Sequence, residues 1–177
     1  GPDYRHDSAA TIAADVFSTI LRMNSSKWQQ ALVDKGLATY ADVNYQTLSY
    51  VGPISIFVIP NPNKLKECNE EILKQVKMWH QNDYFTKEQL ADAKQILRRN
   101  DIRRNEKPSS LASQLTYQWC STSLDYYTNY LDNCMKVSKK DIQKYVEKYI
   151  TEKPFVAWMI INAAMNKVAN AGTFFKP

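Results

Sequence analysis

The sequence is short of the residues on which most catalytic and phosphate-binding sites depend. It has four glycines, two histidines and three cysteines in 177 residues. So few glycines exclude most versions of a glycine-rich phosphate loop. A zinc site with three protein ligands would need both His6 and His80 together with a carboxylate, or ligands from another chain. These shortages argue against a free-standing enzyme.

Long apolar runs are also missing, as are an initiator methionine and a signal peptide. Because a helix that crosses a membrane needs about 18 or more apolar residues, we expect no membrane span. We expect the chain to be excised from a longer protein, with Gly1 and Pro2 either native or remnants of expression cloning.

The balance of apolar and charged residues is that of an ordinary globular protein, at 44% and 23%. The net charge of +5 is concentrated in the stretch "KQILRRNDIRRNEK" at 94–107. Such a run is typical of a solvated helix face. No aromatic stacking residues or nucleic-acid motif accompany it, so we expect no nucleic-acid partner. Cys68 and Cys134 fall at helical spacing among apolar residues, as structural thiols do.

The first half of the chain predicts one helix and two strands. Asp7 is a candidate N-cap for an alanine-rich helix that continues to Leu21. From Leu37 to Tyr45 the residues alternate as in a strand with two unlike faces. The following "LSYVGPISIFVIP" predicts a second strand, interrupted at Gly52-Pro53.

The second half predicts a block of about five helices and a last strand. The helical segments are Leu65–Trp79, a long helix that Thr86 and Gln89 cap, a stretch near 109–119, Leu124–Cys134, and a helix after Ser138. The apolar run "KPFVAWMII" at 153–161 predicts a buried strand. We expect a helical turn or a loop from Asn162 onward.

Together these elements predict an α+β fold in which an antiparallel sheet packs against a block of helices. The two adjacent strands, joined by a tight turn, are expected to be antiparallel. We expect residues 1–177 to form one domain, and a further strand to lie upstream of residue 1.

The stretch "HQNDY" at 80–84 partly matches the H-x-x-E-H motif of inverted zinc peptidases. Asp83 stands in place of the glutamate, and Tyr84 replaces the second histidine. A helix is also expected to end here, which removes the one-turn spacing that two ligands need. We therefore interpret the match as chance.

Several stretches in order resemble the insulinase/pitrilysin family of zinc metallopeptidases, which includes the mitochondrial processing peptidases. They are "GPDYRHDSAATIAADVFSTIL", "SSKWQQALVDKGLATYADVNY", "YFTKEQLADAKQIL", and "SLDYYTNYL" followed by "VSKKDIQKYVEKYI". The resemblance spans about residues 1–161. It implies a LuxS/processing-peptidase-like α+β fold.

In that family only one type of domain carries the zinc motif, and this chain resembles a companion domain without it. The resemblance implies a non-catalytic domain that helps form a substrate chamber and binds extended peptides. Zinc is expected in the catalytic domain of the parent protein and no cofactor in this fragment. The expected partners are that homologous domain, in the same chain or a partner subunit, and a peptide substrate. Bacterial homologues of this kind are often exported, which favours the periplasm or cell envelope.

In some companion domains of this family an arginine and a tyrosine assist substrate binding and transition-state stabilisation. On this chain the arginine position falls at Val33, and the tyrosine position falls near Thr39 or Tyr40. Because Tyr40, Asp42 and Asn44 share one strand face, we predict that they contact the substrate. Two alternatives stay open: ordinary core or interdomain packing for these side chains, and a structural or protein-binding homologue without protease activity.

Overall fold

The structure, a computed structural model, describes residues 1–161. In this part of the chain a two-stranded antiparallel sheet packs against helices, so the predicted α+β class is confirmed. No helix in residues 1–161 is both long enough and apolar enough to cross a membrane. The predicted turn or loop from Asn162 lies outside the described residues.

Within residues 1–161 the first helix, the two strands and the block of five helices follow the predicted order, whereas the predicted last strand is absent. One helix precedes the two strands, a very short helix leads into the sheet, and five helices come after it. Their bounds are α1 Tyr4–Arg22, α2 Lys27–Gln29 with a π-helical turn at Gln30–Asp34, β1 Ala38–Tyr45, β2 Ile54–Pro60, a 3₁₀ turn at Pro62–Lys64, α3 Leu65–Met78, α4 Lys87–Asn105, α5 Pro108–Ser121, α6 Leu124–Lys136 and α7 Lys139–Tyr149.

Polar side chains fix where the helices begin. α1 starts at Tyr4, earlier than predicted, because Asp3 accepts a hydrogen bond from the His6 amide. The backbone leaves helical angles at Asp7, whose carboxylate accepts from the Ala10 amide at 3.2 Å and so caps the part of α1 that follows. The predicted capping box of α4 is present, with reciprocal bonds between Thr86 and Gln89 of 2.9 and 3.1 Å.

The sheet differs from the predicted hairpin at both ends. Residues 46–53 form a loop, so the connection between the strands is longer than the predicted tight turn, and β2 begins only after Pro53. The register shifts between Ala38 and Tyr40, which places Thr39 and Tyr40 together on the exposed side and Ala38 among the buried residues. Gly36, with φ of 64°, turns the chain from α2 into β1.

The core forms around α1, which packs against β1, α4, α6 and α7. Phe17 lies at its centre, in edge-on contact with Trp79 at 5.5 Å between ring centroids and with Tyr145 at 6.3 Å. Trp79 also contacts Trp28 at 5.4 Å, which ties α2 to the end of α3. Aromatic rings thus join elements that are distant in sequence.

The predicted buried strand at 153–161 is wrong for this structure. In residues 1–161 this segment has no strand partner, and its large apolar side chains face outward. The exposed fractions are 72% for Phe155, 91% for Val156, 68% for Trp158 and 86% for Ile160. The sequence pattern is that of a strand, but a strand forms only where a neighbouring strand supplies hydrogen bonds.

Removing the cap of α7 is expected to destabilise the fold modestly. Ser138 Oγ accepts from the Asp141 amide at 3.3 Å, and Asp141 Oδ2 accepts from the Ser138 amide at 2.8 Å. Ser138→Ala leaves helix amides without a partner, so we expect the free energy of unfolding to fall by about 1 kcal/mol. Urea denaturation followed by circular dichroism measures it. Ser113→Ala, at an exposed serine inside α5, is the control, and an equal loss there would contradict a capping role.

Candidate functional site: the open sheet face and its polar cleft

The two strands present one face that the helices leave uncovered. Tyr40, Asp42 and Asn44 of β1 lie on this open face, paired across the sheet with Ile59, Phe57 and Ser55 of β2. Tyr40 and Phe57 are each 49% exposed and touch edge-on at 6.0 Å between ring centroids. The opposite face carries Ala41, Val43 and Tyr45, which are buried against α1. The period-two alternation predicted for β1 therefore places the three candidate site residues on the same side.

Arg22 organises the polar end of the open face. It stands in the last turn of α1 and donates from Nε to Asp42 Oδ1 at 2.7 Å and from an Nη atom to Asn44 Oδ1 at 2.7 Å. The charge of Asp42 is therefore matched by a guanidinium, and Asn44 is held with its amide nitrogen free to donate. The face has an apolar end at Tyr40, Phe57 and Ile59 and a hydrogen-bonding end at Asn44.

A polar cleft adjoins the Asn44 end of the open face. Its volume is about 500 Å³, and it lies between α1, the end of β1, and helices α4, α5 and α6. Side chains that donate or accept hydrogen bonds dominate its lining, among them Asp15, Arg22, Asn100, Arg104, Tyr127 and Tyr130. Because Arg22 and Asn44 belong to both the cleft and the open face, the two form one continuous surface.

Asp15 is a carboxyl of the cleft whose pKa is strongly shifted. Burial among the helices raises the pKa of its carboxyl to about 7, although the Tyr130 hydroxyl donates to Oδ2 at 2.9 Å and the positive charges of Arg22 and Arg104 act in the opposite direction. Burial likewise raises the pKa of the Tyr130 phenol well above its ordinary value. Near neutral pH the cleft therefore holds a carboxyl that is partly protonated.

The two outer edges of the sheet differ in how far other parts of the chain cover them. Gln29 of α2 donates from Nε2 to the Ala41 carbonyl oxygen at 2.7 Å, so α2 covers part of the β1 backbone. No strand pairs with the outer edge of β2 within residues 1–161. That edge belongs to a strand without charged residues, "ISIFVIP". Natural sheets commonly protect such edges with lysine, proline or a covering segment.

The remaining candidate residues from the sequence lie away from this surface or inside the core. Val33, at the arginine position of the resemblance, is half-buried in the π-helical turn and packs against the core. In "HQNDY", α3 ends at Met78, and Tyr84 is buried with its hydroxyl donating to Gln75 Oε1 at 2.7 Å. Burial raises the pKa of the Cys68 thiol to about 11 and that of Cys134 to about 12, as expected of structural thiols.

The sequence reasoning missed Arg22, Phe57 and Ile59. For Phe57 and Ile59 a signal was available, because alternation in β2 places them on one face once the antiparallel pairing is fixed. For Arg22 no local signal exists, since its partners Asp42 and Asn44 follow about twenty residues later.

Comparison with known proteins supports the fold and leaves the family open. No family model matches the chain, and no curated protein matches it. Among solved structures, the chain is similar to a protease from Helicobacter pylori, with a TM-score of 0.75 and 23% identity. The match covers 85% of this chain and 37% of that one, so the chain spans well under half of the length of the protease. At this identity the likeness shows that the chain shares its fold with part of that structure.

Proposed function

We propose that this chain is a non-catalytic domain of an insulinase-like zinc metallopeptidase, in which it helps form the substrate chamber and binds extended peptides. The observation that carries the proposal is the open face, where exposed Tyr40, Phe57 and Ile59 adjoin the ordered polar groups of Asp42, Asn44 and Arg22. The protease-like fold supports the first half of the proposal.

The open face has the chemistry that an extended peptide needs. Exposed aromatic and aliphatic side chains cover the apolar residues of a peptide, while Asn44 and the cleft behind it provide donors and acceptors for its backbone amides. Contacts of this kind, remote from the bond to be cleaved, position a substrate in a protease because binding energy limits its motion. The surface is therefore suited to the wall of a chamber.

The hydrolytic chemistry is assigned to another module. Among residues 1–161 no group of three or more His, Cys, Asp or Glu side chains lies close enough together to hold a metal ion, which supports this part of the proposal. In the proposal the zinc belongs to a homologous catalytic domain, in the same chain or in a partner subunit.

Substitutions on the open face test the peptide-binding part of the proposal. We expect Tyr40→Ser and Phe57→Ser each to weaken binding of a fluorescein-labelled, unstructured peptide by about 3- to 10-fold, because each removes one aromatic contact. Fluorescence anisotropy measures the dissociation constant. The matched control is Tyr50→Ser, which removes a tyrosine that is exposed but lies in the loop between the strands.

Two results would count against peptide binding at this face. One is an equal effect of Tyr50→Ser, which would show that the peptide does not bind specifically at the open face. The other is the absence of saturable binding for any extended peptide, which would favour the structural or protein-binding homologue. In that case a stable complex with another protein, unchanged by Tyr40→Ser, is the expected finding.

A further inference from the structure

Arg104, an exposed residue of α4, lines the polar cleft together with Arg22 of α1. The positive charges of both guanidinium groups act on the Asp15 carboxyl, so the two arginines lie near the same part of the cleft. Because Arg22 and Asn44 also belong to the open face, a peptide that runs along that face toward Asn44 enters the cleft. We infer that the cleft binds a carboxylate of such a peptide and that Arg104 recognises it. The inference rests on the proposed function and adds a class of substrate, extended peptides with an acidic group.

The acidic side chains near the two arginines already accept hydrogen bonds from residues other than Arg104. These hydrogen bonds run from Arg22 to Asp42, from Tyr130 to Asp15, and from Asn105 to Asp101. Within residues 1–161 no carboxylate forms an ion pair with Arg104. Residues 162–177 contain no aspartate or glutamate, so they supply no acidic side chain to it. The guanidinium of Arg104 is therefore available to a ligand.

The groups around Arg104 suit a ligand that only accepts hydrogen bonds. A guanidinium has five N–H groups and no acceptor, and its planar fork matches the two oxygens of a carboxylate. The side-chain oxygen of Asn44 accepts from Arg22, which leaves the amide nitrogen of Asn44 to donate. A second hollow shares Arg104 with the cleft, and the other residues among 1–161 that line it carry no negative charge: Ser109, Ser110, Ser113, Gln114 and Tyr117. Hydroxyl and amide donors therefore accompany Arg104 in both spaces.

The cleft contains both signs of charge, so the hydrogen bonds of Arg104 rather than the net charge select the ligand. Burial raises the pKa of the Asp15 carboxyl to about 7, so this group opposes a second carboxylate only in part at neutral pH. Asp101 is the other acidic residue of the cleft lining, and the charge of Arg22 is matched by Asp42. A forked hydrogen bond from a guanidinium depends on where that group lies. Removing Arg104 should therefore have a larger effect than removing a neighbouring positive charge.

The length of the open face sets where the carboxylate lies along the peptide. Asn44 follows Tyr40 by four positions in β1, which corresponds to about 13 Å of extended chain. A peptide with an apolar side chain against Tyr40 and Phe57 therefore reaches the cleft about four residues further along. We expect the acidic residue at a spacing of roughly four to six residues from the apolar one.

Paired peptides that differ in one group test the inference on the 177-residue chain. Each peptide is unstructured, labelled with fluorescein and amidated at its C-terminus, and carries one phenylalanine and, at a spacing that is varied, either glutamate or glutamine. We expect fluorescence anisotropy to show that the glutamate peptide binds about tenfold more tightly than its glutamine partner at one spacing. A glutamine peptide with a free C-terminal carboxylate distinguishes the two sources of the group. Tighter binding of this peptide alone would support carboxylate recognition and assign it to the peptide terminus.

Arg104→Gln tests whether this residue causes the preference, and the ratio of the two dissociation constants is expected to fall to about one. The matched control is Arg103→Gln, which removes the same charge from the adjacent exposed position of α4, outside the cleft lining, and is expected to keep the ratio. Circular dichroism verifies that both variants fold.

Three results would overturn the inference and leave the proposed function in place. They are equal binding of all carboxylate and amide peptides, a ratio that Arg104→Gln leaves unchanged, and an equal fall of the ratio in Arg103→Gln. The absence of saturable binding for every peptide would instead contradict the proposed function, and the inference with it.

Discussion

Phe17→Ala is expected to lower the free energy of unfolding by about 4 kcal/mol, the largest effect that we predict for a single substitution. Phe17 is buried at the centre of the core and contacts Trp79, at the end of α3, Phe85, just before α4, and Tyr145 in α7. Alanine leaves a cavity that the surrounding rings fill only in part. Because domains are stable by only about 5–15 kcal/mol, this loss is a large fraction of the total.

Urea denaturation followed by tryptophan fluorescence measures the effect of Phe17→Ala. The matched control is Phe57→Ala, which removes the same side chain from the exposed open face and is expected to cost less than about 1 kcal/mol. Equal losses for the two variants would show that the core does not centre on Phe17.

The second large effect is a dependence of stability on pH that arises from Asp15. Its pKa in the folded protein is about 7, against an ordinary value of 3.8. Between these values the folded state binds a proton that the unfolded state releases, so the free energy of unfolding falls as pH rises from about 4 to about 7 and then levels off. The loss is of the order of 2–4 kcal/mol, since one pKa unit corresponds to about 1.4 kcal/mol.

Asp15→Asn isolates this contribution, because asparagine keeps the shape and the acceptor for the Tyr130 hydroxyl but does not ionise. We expect the variant to match the wild type near pH 4 and to be more stable by roughly 2–4 kcal/mol at pH 8. Denaturation curves at several pH values give the difference. Asp132→Asn, at an exposed position on α6, is the control. A constant difference across the pH range would contradict a titrating Asp15.

Local signals in the sequence predicted the helices well. The capping box at Thr86, the helix start at Ser138 and the spacing of Ile142, Tyr145 and Val146 describe interactions within one or two turns, so a single stretch of sequence contains all the partners. The α+β class followed from the order of the elements. The early start of α1 was not predicted because the chain has two N-capping residues, Asp3 at the start of the helix and Asp7 at a kink inside it.

The sheet was harder to predict because strands depend on distant partners. The segment 153–161 has the composition of a strand, yet residues 1–161 give it no neighbour, and it stays exposed. The bulge near Tyr40 also could not be predicted from the local sequence, because it arises from the pairing register between β1 and β2. The same limit applies to the candidate site, where period two places Tyr40, Asp42 and Asn44 on one face and the tertiary fold brings Arg22 to it.

The central claim is that this chain binds extended peptides and leaves their cleavage to another module. The most direct measurement follows an internally quenched fluorogenic peptide, added to the purified chain with zinc, by anisotropy for binding and by mass spectrometry for cleavage. We predict saturable binding and an intact peptide after prolonged incubation. Hydrolysis by the chain alone that stops when a chelator is added would contradict the claim.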